Sequence, residues 1–333
     1  MKWTFSQRTV NNNTQMKITR FKEKLTPLVM AAVMTISLPA TAQIDLESAL
    51  GGDSTEHASD DVEATFKSTR IINSQSPETI HKHELDFKVD HRFGDIAGSN
   101  GGAGNFFGLD NSTDIKIGFE YGITDNLNVG IARAKGATQV AQLYEVNLKY
   151  RVLRQTVDGK VPVSVAGYAS VTVPGVEADR QNDGEATSYR QFADRLNLVG
   201  QLIIARKFGS ALSLAVHPTY IRRNTTADYD GQHDLFAVGI GGRLKVSRRM
   251  ALVMDYFLPF RSTASKERYA DAITALYNPL GIGLEIETGG HVFNLNFTNA
   301  TAIQEMQYIP ETTSSWTNGQ FRWGFTISRR FSL

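Results

Sequence analysis

The chain has 333 residues and no cysteine. This absence excludes disulfides, thiolate nucleophiles and thiolate metal ligands, as well as the lipid-anchoring cysteine of a bacterial lipoprotein. Long apolar segments are also missing. The longest mainly apolar run, Leu28–Leu38, has 11 residues, whereas a helix needs about 20 to span a bilayer. We therefore expect no transmembrane helix.

The first 42 residues have the pattern of a secretory signal peptide. A basic stretch precedes the apolar run: Lys17, Arg20, Lys22 and Lys24. Ala40 and Ala42 then form a small-x-small cleavage pattern, so we expect cleavage after Ala42, with Met16 as an alternative start. Removing residues 1–42 takes away six basic residues and one acidic residue. The remaining 29 basic and 33 acidic residues give a net charge of −4, which argues against nucleic acid as a partner.

Residues 43–80 follow the cleavage site and begin with an acidic stretch that has no sustained period. This composition predicts a periplasmic leader that is partly disordered or caps the mouth of the following domain. Ser76–Glu78 has proline at the position typical of a first helical turn, so we expect a short helix to begin there.

From Lys82 to the C-terminus, apolar and polar residues alternate with a period of two. In HELDFKVDHRF, for example, Leu85, Phe87 and Val89 alternate with charged residues. Strict alternation predicts strands with one apolar and one polar face. Most segments reach the 9–11 residues that a tilted strand needs to cross a bilayer. We predict about twelve strands, at residues 82–93, 112–122, 127–135, 141–154, 161–173, 194–208, 211–221, 234–247, 250–259, 279–288, 291–299 and 320–333.

The connections between these strands alternate between long and short along the chain. Long extracellular loops and short periplasmic turns are typical of outer-membrane barrels. The fold class predicted is therefore all-β: a transmembrane up-and-down antiparallel β-barrel over residues 81–333, in the bacterial outer membrane. A soluble β-sandwich is the alternative, but its strands should be shorter and its loops should not alternate in length.

The C-terminal segment QFRWGFTISRRFSL places most of its large apolar residues on one face. A sheet in lipid must close on itself, so we expect this strand to pair with the first and to turn its apolar face to acyl chains. Its terminal aromatics resemble the signal read by the outer-membrane assembly machinery. Outer-membrane lipid and that machinery are thus the expected partners.

Several motifs between residues 66 and 155 resemble an uncharacterised family of Gram-negative outer-membrane β-barrel proteins. They are HRFGDI, FFGLD, IGFEYGITDNLNVGIAR and KYRVLRQ, preceded by FKSTRIINSQSPETIHK. In that family an HRFG-like motif ends the first strand, and a YGITD-like turn joins the second and third. The resemblance implies a barrel and its location, and it carries no catalytic residues.

The polar faces of the predicted strands point into the barrel and carry charges of both signs. Ten of these residues are our candidate lumen-lining positions: Lys88, Arg92, Lys116, Glu120, Lys149, Arg151, Arg243, Asp255, Glu285 and Arg322. Because buried charges must be paired or hydrated, they either interlock and close the lumen or line a narrow wet pore. We expect the pore.

Chemical sites are sparse in the sequence. His81 and His83 share one face of a strand but have no evident third metal ligand, and Ser213 and His217 point inward, away from any lipid substrate. We expect no enzyme activity, no metal site and no cofactor. The two functions that remain are a narrow passive channel for small polar solutes, and a non-transporting structural or ligand-binding barrel with a lumen closed by salt bridges.

Overall fold

The computed structural model describes residues 61–138, 140–175, 191–226, 229–288 and 291–333. The signal peptide predicted for residues 1–42 and the first part of the leader lie outside the described residues. The described residues contain twelve strands: β1 (Glu84–Asp95), β2 (Ser112–Thr124), β3 (Leu127–Ala134), β4 (Leu143–Leu153), β5 (Ser164–Pro174), β6 (Asn197–Phe208), β7 (Leu212–Arg223), β8 (Asp234–Lys245), β9 (Met250–Pro259), β10 (Leu280–Thr288), β11 (His291–Thr298) and β12 (Arg322–Ser332).

Each strand pairs with its neighbours in sequence, and β1 pairs with β12, so the sheet is a closed barrel. The closing pair is antiparallel, with Leu85 opposite Phe331 and Val89 opposite Ile327. The predicted twelve-stranded barrel is therefore confirmed, and the predicted strand ends differ from those observed by three residues at most. Closure leaves no unpaired edge in the ring and excludes the soluble sandwich.

The period-two pattern separates an apolar outside from a polar inside. Ile131 and Val146 are paired across β3 and β4 and are each 61% exposed, as expected for residues that face lipid. The alternate positions are buried, including charged residues such as Lys88, Arg92 and Lys149. Aromatic residues occur at both rims, with Tyr121 and Tyr150 near the periplasmic turns and Tyr256 and Trp323 near the extracellular loops.

Two short helices lie in extracellular connections. Helix α1 (Thr263–Ala272) is capped by the Ser262 hydroxyl, which accepts a hydrogen bond from the Ser265 backbone amide. Helix α2 (Glu305–Glu311) is entirely buried. Neither helix, nor any other helical part of the described chain, is long and apolar enough to cross a membrane.

Residues 66–80 form a hairpin inside the barrel. We call Phe66–Ile80 the hairpin. Its two arms are joined by backbone hydrogen bonds from Ile71 to Ser74 (2.9 Å) and from Ser76 to Thr69 (3.0 Å), which place Ile72 and Asn73 at the tip. The helix expected at Ser76 is absent, because Ser76 is instead bonded to the opposite arm. The segment also does more than cap the mouth: it enters the lumen, where most of its residues are buried.

The last long connection also folds inward. We call residues 299–315 the inner loop. Its apolar side chains are buried, among them Ile303, Met306, Tyr308 and Ile309, although a long extracellular loop was expected there. The inner loop contacts the hairpin directly, since the Tyr308 hydroxyl donates to the Asn73 carbonyl oxygen (3.2 Å) and the Gln75 amide donates to Glu305 (2.9 Å).

Candidate functional site: the filled lumen

The inward face of the barrel has two chemically different sides. The charged wall consists of the inward residues of β12, β1, β2 and β4, which carry charges of both signs at mid-barrel. The apolar wall consists of the inward residues of β5 to β9. Its buried alanine, valine, isoleucine, leucine and phenylalanine side chains form apolar clusters, between which polar residues such as Gln201, His217 and Asp255 also point inward. Within the charged wall, β3 lies between β2 and β4 and has only small or neutral inward residues, from Asn128 to Ala134.

The ten candidate lumen residues all lie inside the barrel, and each has a polar partner. Six of them contact the hairpin. Lys149 Nζ donates to the Thr69 carbonyl (2.7 Å), Arg92 Nη2 to Asn73 Oδ1 (2.8 Å) and Lys88 to the Thr69 hydroxyl, which itself donates to Glu120 (3.0 Å). Arg151 lies 3.7 Å from Glu78, and Asp255 accepts hydrogen bonds from the hairpin tip. The other contacts join wall to wall or wall to loop: Lys116 with Glu145, Glu120 with Lys88, Arg243 with Glu285, and Arg322 with Asp95.

Asp255, on β9, holds the tip of the hairpin. Its carboxylate accepts hydrogen bonds from the backbone amides of Asn73 (2.6 Å) and Ser74 (2.7 Å) and from the Asn73 side chain (3.0 Å). Arg92, on β1 of the charged wall, donates to the Asn73 side-chain oxygen. The hairpin tip therefore bridges two wall residues of opposite charge, Asp255 on β9 and Arg92 on β1.

A polar seam runs between the hairpin and the charged wall. Three ion pairs define it: Lys88 with Glu120 (2.7 Å), Lys116 with Glu145 (2.7 Å) and Arg70 with Asp90 (3.5 Å). A cavity of about 20 Å³, the size of one water molecule, lies among these side chains, with Gly118 and Ala132 completing its lining.

A larger cavity of about 470 Å³ opens at the periplasmic mouth. It lies beside the base of the hairpin and is lined by charged side chains of both signs: Lys67, Glu78, Arg151, Arg154, Glu287 and Arg330. Ser328 also lines this cavity and donates a hydrogen bond to Asp86 (2.7 Å), which in turn lies 3.4 Å from Lys88 in the polar seam. Asp86 therefore stands between the mouth cavity and the seam.

On the extracellular side, a buried charge cluster fixes the inner loop. Asp230 accepts hydrogen bonds from Arg261 (2.7 Å) and Arg223 (2.6 Å), and Arg223 also donates to Glu311 at the end of α2. Burial alone would raise the pKa of Asp230, but the hydrogen bonds and charges of Arg261 and Arg223 lower it to about 2. Asp230 therefore stays ionised at neutral pH and keeps the two guanidinium groups paired.

The histidines of the sequence analysis are not assembled into a chemical site. His217 is buried against the hairpin, with Nε2 2.8 Å from the Gln75 carbonyl oxygen. On the outer surface, His91 Nε2 lies 3.2 Å from the Ser112 hydroxyl, but His91 Nδ1 has no hydrogen-bond partner among the described residues. This pair therefore lacks the third group that orients a catalytic imidazole. The described residues contain no cluster of three or more potential metal ligands.

Residues outside the strands also fill the lumen, and the period-two pattern of the sequence could not predict their positions. Arg70, Asn73 and Glu305 are buried and polar, and each contacts a partner more than 180 positions away in the sequence or on a distant strand. A weak signal was present in the hairpin, where Ile71–Ile72 is an apolar pair within a polar leader, and in the inner loop, where apolar residues are frequent.

A family model described as "Membrane bound beta barrel domain" matches residues 66–331. The matched range begins at the first residue of the hairpin and runs to the end of β12, so the hairpin is part of the matched domain. No curated protein matches the chain.

Several solved outer-membrane barrels resemble the structure at low sequence identity. An outer membrane channel from Pseudomonas putida F1 is 10% identical, with a TM-score of 0.45 over 76% of this chain and 97% of that chain. The NanC porin is 8% identical, with a TM-score of 0.43 over 75% and 100% of the two chains. The KdgM porin is 7% identical, with a TM-score of 0.42 over 75% and 99%. Likeness at this level carries no information on what this chain transports.

Proposed function

The chain belongs to this family of membrane-bound β-barrel domains, and we propose that it is an outer-membrane channel for small polar solutes, closed at rest by the contact between the hairpin and the charged wall and opened when that contact is hydrated. Its location is the bacterial outer membrane, because a closed antiparallel barrel of twelve strands in a membrane-bound family has the architecture of outer-membrane proteins. The narrow open pore expected from the sequence is replaced by a filled lumen.

The observation that carries the proposal is the polar character of the contact between the hairpin and the charged wall. A permanently closed interior gains more from well-packed apolar residues than from ion pairs, since desolvating charges is costly. Here the charged wall carries Lys88, Glu120, Lys149 and Arg92, all bonded to hairpin groups or to each other. Such a contact can be hydrated, whereas an apolar core cannot.

The test is the conductance of two deletion variants in planar bilayers. One variant lacks residues 43–80 and hence the hairpin, and the matched control lacks residues 43–60 and keeps it. We expect the first deletion to raise the single-channel conductance at least tenfold above that of the control. Replacing Asp90 with serine, which removes the ion pair between Arg70 of the hairpin and the charged wall without removing any segment, should raise the frequency of openings in the full chain.

A second candidate function follows from the ion pairs themselves. Lys116 with Glu145 and Arg243 with Glu285 join one strand to another rather than wall to hairpin, so they neutralise wall charges that a solute path could otherwise use, independently of the hairpin. This favours a non-transporting barrel, which presents its extracellular loops to a ligand or serves a structural role. Absence of current in both deletion variants and in the serine variant, with all three inserted in the bilayer, would support this second function and refute the channel.

A further inference from the structure

The hairpin has an apolar face and a polar face, and they contact different walls. Phe66, Ile71 and Ile72 are buried against Ala205, Ala215 and Val253 of the apolar wall. On the other side, the hairpin contacts the charged wall across the polar seam. Thr69 is hydrogen-bonded to Lys149 and Glu120, and Arg70 forms an ion pair with Asp90.

The inner loop is docked on the same apolar wall. Ala300, Met306, Tyr308 and Ile309 form one buried cluster with inward residues of β6 to β9, including Ile221, Leu235 and Phe257. Both segments that fill the lumen therefore rest on one side of the barrel, and the charged wall faces the polar side of each, as Arg70 with Asp90 and the Ile303 amide with Asp114 illustrate.

The contacts of the hairpin with the apolar wall and with the charged wall differ in the free energy that separating them would cost. Parting the apolar surfaces would expose hydrophobic area to a gap that water does not readily fill. Parting the polar seam breaks one ion pair, Arg70 with Asp90, and the hydrogen bonds that Thr69 makes with the wall, and water can replace these contacts at little cost. The water-sized cavity in the seam and the mouth cavity below it, linked through Asp86, are the places where hydration can begin.

We propose that solutes pass along the polar seam, between the hairpin and the strands β1, β2 and β4, while the hairpin stays docked on the apolar wall. This inference rests on the proposed channel function and adds the path and its chemistry. The charges around the seam balance. Its cations Lys88, Lys116 and Arg70, with Lys149 and Arg92 beside them, number five, and so do the carboxylates paired with the first three: Glu120, Asp86, Glu145, Asp90 and Glu305. The path therefore suits small neutral or zwitterionic polar solutes and discriminates little between cations and anions.

Single cysteines test the path cleanly, because the chain has no cysteine of its own. Asn147 lines the seam cavity, and Ala215 lies under the apolar face of the hairpin. We compare Asn147→Cys with Ala215→Cys in the full chain, using a water-soluble cationic methanethiosulfonate. The labelling rate is measured in lipid vesicles by mass spectrometry, and the current is measured in planar bilayers. We expect Asn147→Cys to be labelled at least tenfold faster and to lose at least half of its current.

Equal or faster labelling of Ala215→Cys, or no labelling at either position, would overturn the proposed path. An engineered disulfide gives a second, independent reading. A Cβ built on Gly281, on β10 beside the apolar wall, lies 3.0 Å from Ile72 Cγ2 and 2.7 Å from Asp255 Oδ1. A cross-link between Ile72→Cys and Gly281→Cys therefore ties the hairpin tip to this side of the barrel once the Asp255 carboxylate has shifted slightly.

Oxidation of this pair should leave the current unchanged, whereas loss of current on oxidation and its recovery on reduction would show that the hairpin leaves the wall. If no variant conducts, including the one that lacks residues 43–80, the channel function itself fails. If currents are present but labelling favours Ala215→Cys, only the path fails.

Discussion

At the scale of single residues, the lumen depends on partners that are distant in sequence. Alternation places Asp255 on the inward face of β9, and this could be predicted from the sequence. Its partners could not, because Asn73 and Ser74 lie in a segment without a period, about 180 positions away. Which inward charge meets which hairpin group is decided by three-dimensional packing, so the residues of the wall could be predicted from the sequence and their partners inside the lumen could not.

We expect Asp255→Ala to release the tip of the hairpin. The change removes the acceptor of three hydrogen bonds and leaves buried donors without a partner, at a cost of about 3 kcal/mol. Amide hydrogen exchange at Asn73 and Ser74 should then be roughly a hundredfold faster. The matched control is Glu287→Gln, since Glu287 is partly exposed and pairs with Lys67 at 3.4 Å. Unchanged exchange at the tip in Asp255→Ala would contradict the anchoring role.

Asp230 gives a pH dependence with a definite sign. Its pKa of about 2 in the folded protein is below the ordinary value of 3.8, so its contribution to stability is complete above pH 4 and is lost as the pH falls towards 2. The loss amounts to about 2 kcal/mol. Burial, followed by the charge of Asp230, raises the pKa of Glu311, so protonation of Glu311 at acid pH does not add to this loss.

The measurement is the unfolding free energy of the wild-type protein and of Asp230→Asn between pH 5 and pH 2. The variant is less stable at pH 5, because Arg223 and Arg261 lose their shared partner, and we expect its curve to be flatter below pH 4. Parallel curves for the two proteins would mean that Asp230 is not the group responsible.

At the scale of elements, strands were predictable and the segments inside the barrel were not. A strand that crosses lipid must turn alternate residues to acyl chains, and Tyr144, Val146 and Leu148 of β4 carry this signal in the sequence itself. The inner loop has no such constraint. Its apolar residues, such as Ile303 and Ile309, fit an extracellular loop as well as an internal one until the apolar wall that receives them is known.

The lipid-facing side of β4 should show a depth-dependent cost for charge. Val146 lies near the middle of the strand and is 61% exposed, whereas Tyr150 lies near the periplasmic rim. We expect Val146→Arg to cost about 2–4 kcal/mol and Tyr150→Arg about 1 kcal/mol or less, measured as unfolding free energies from lipid vesicles. Costs that are equal, or that are larger at the rim, would be inconsistent with a surface embedded in hydrocarbon.

At the scale of the whole molecule, the hairpin and the inner loop close the lumen as one unit. They enter from opposite ends, rest on the same apolar wall and meet through Arg70, Gln75 and Tyr308. A gate of two touching parts should open cooperatively, because a shift of either part removes contacts of the other. Neither the contact nor its cooperativity is visible in the sequence, where the two segments are separated by almost the entire barrel.

A double-mutant cycle between the two parts tests this coupling. Gln75→Leu removes the donor and Glu305→Gln the charge of a contact that measures 2.9 Å. We expect a coupling energy of about 1 kcal/mol in the unfolding free energy, as is typical of residues in direct contact. The control cycle pairs Gln75→Leu with Asp158→Asn, in the exposed turn between β4 and β5, and should be additive within about 0.5 kcal/mol. Additivity in the first cycle as well would mean that the hairpin and the inner loop close the lumen independently, and that either could shift while the other stays in place.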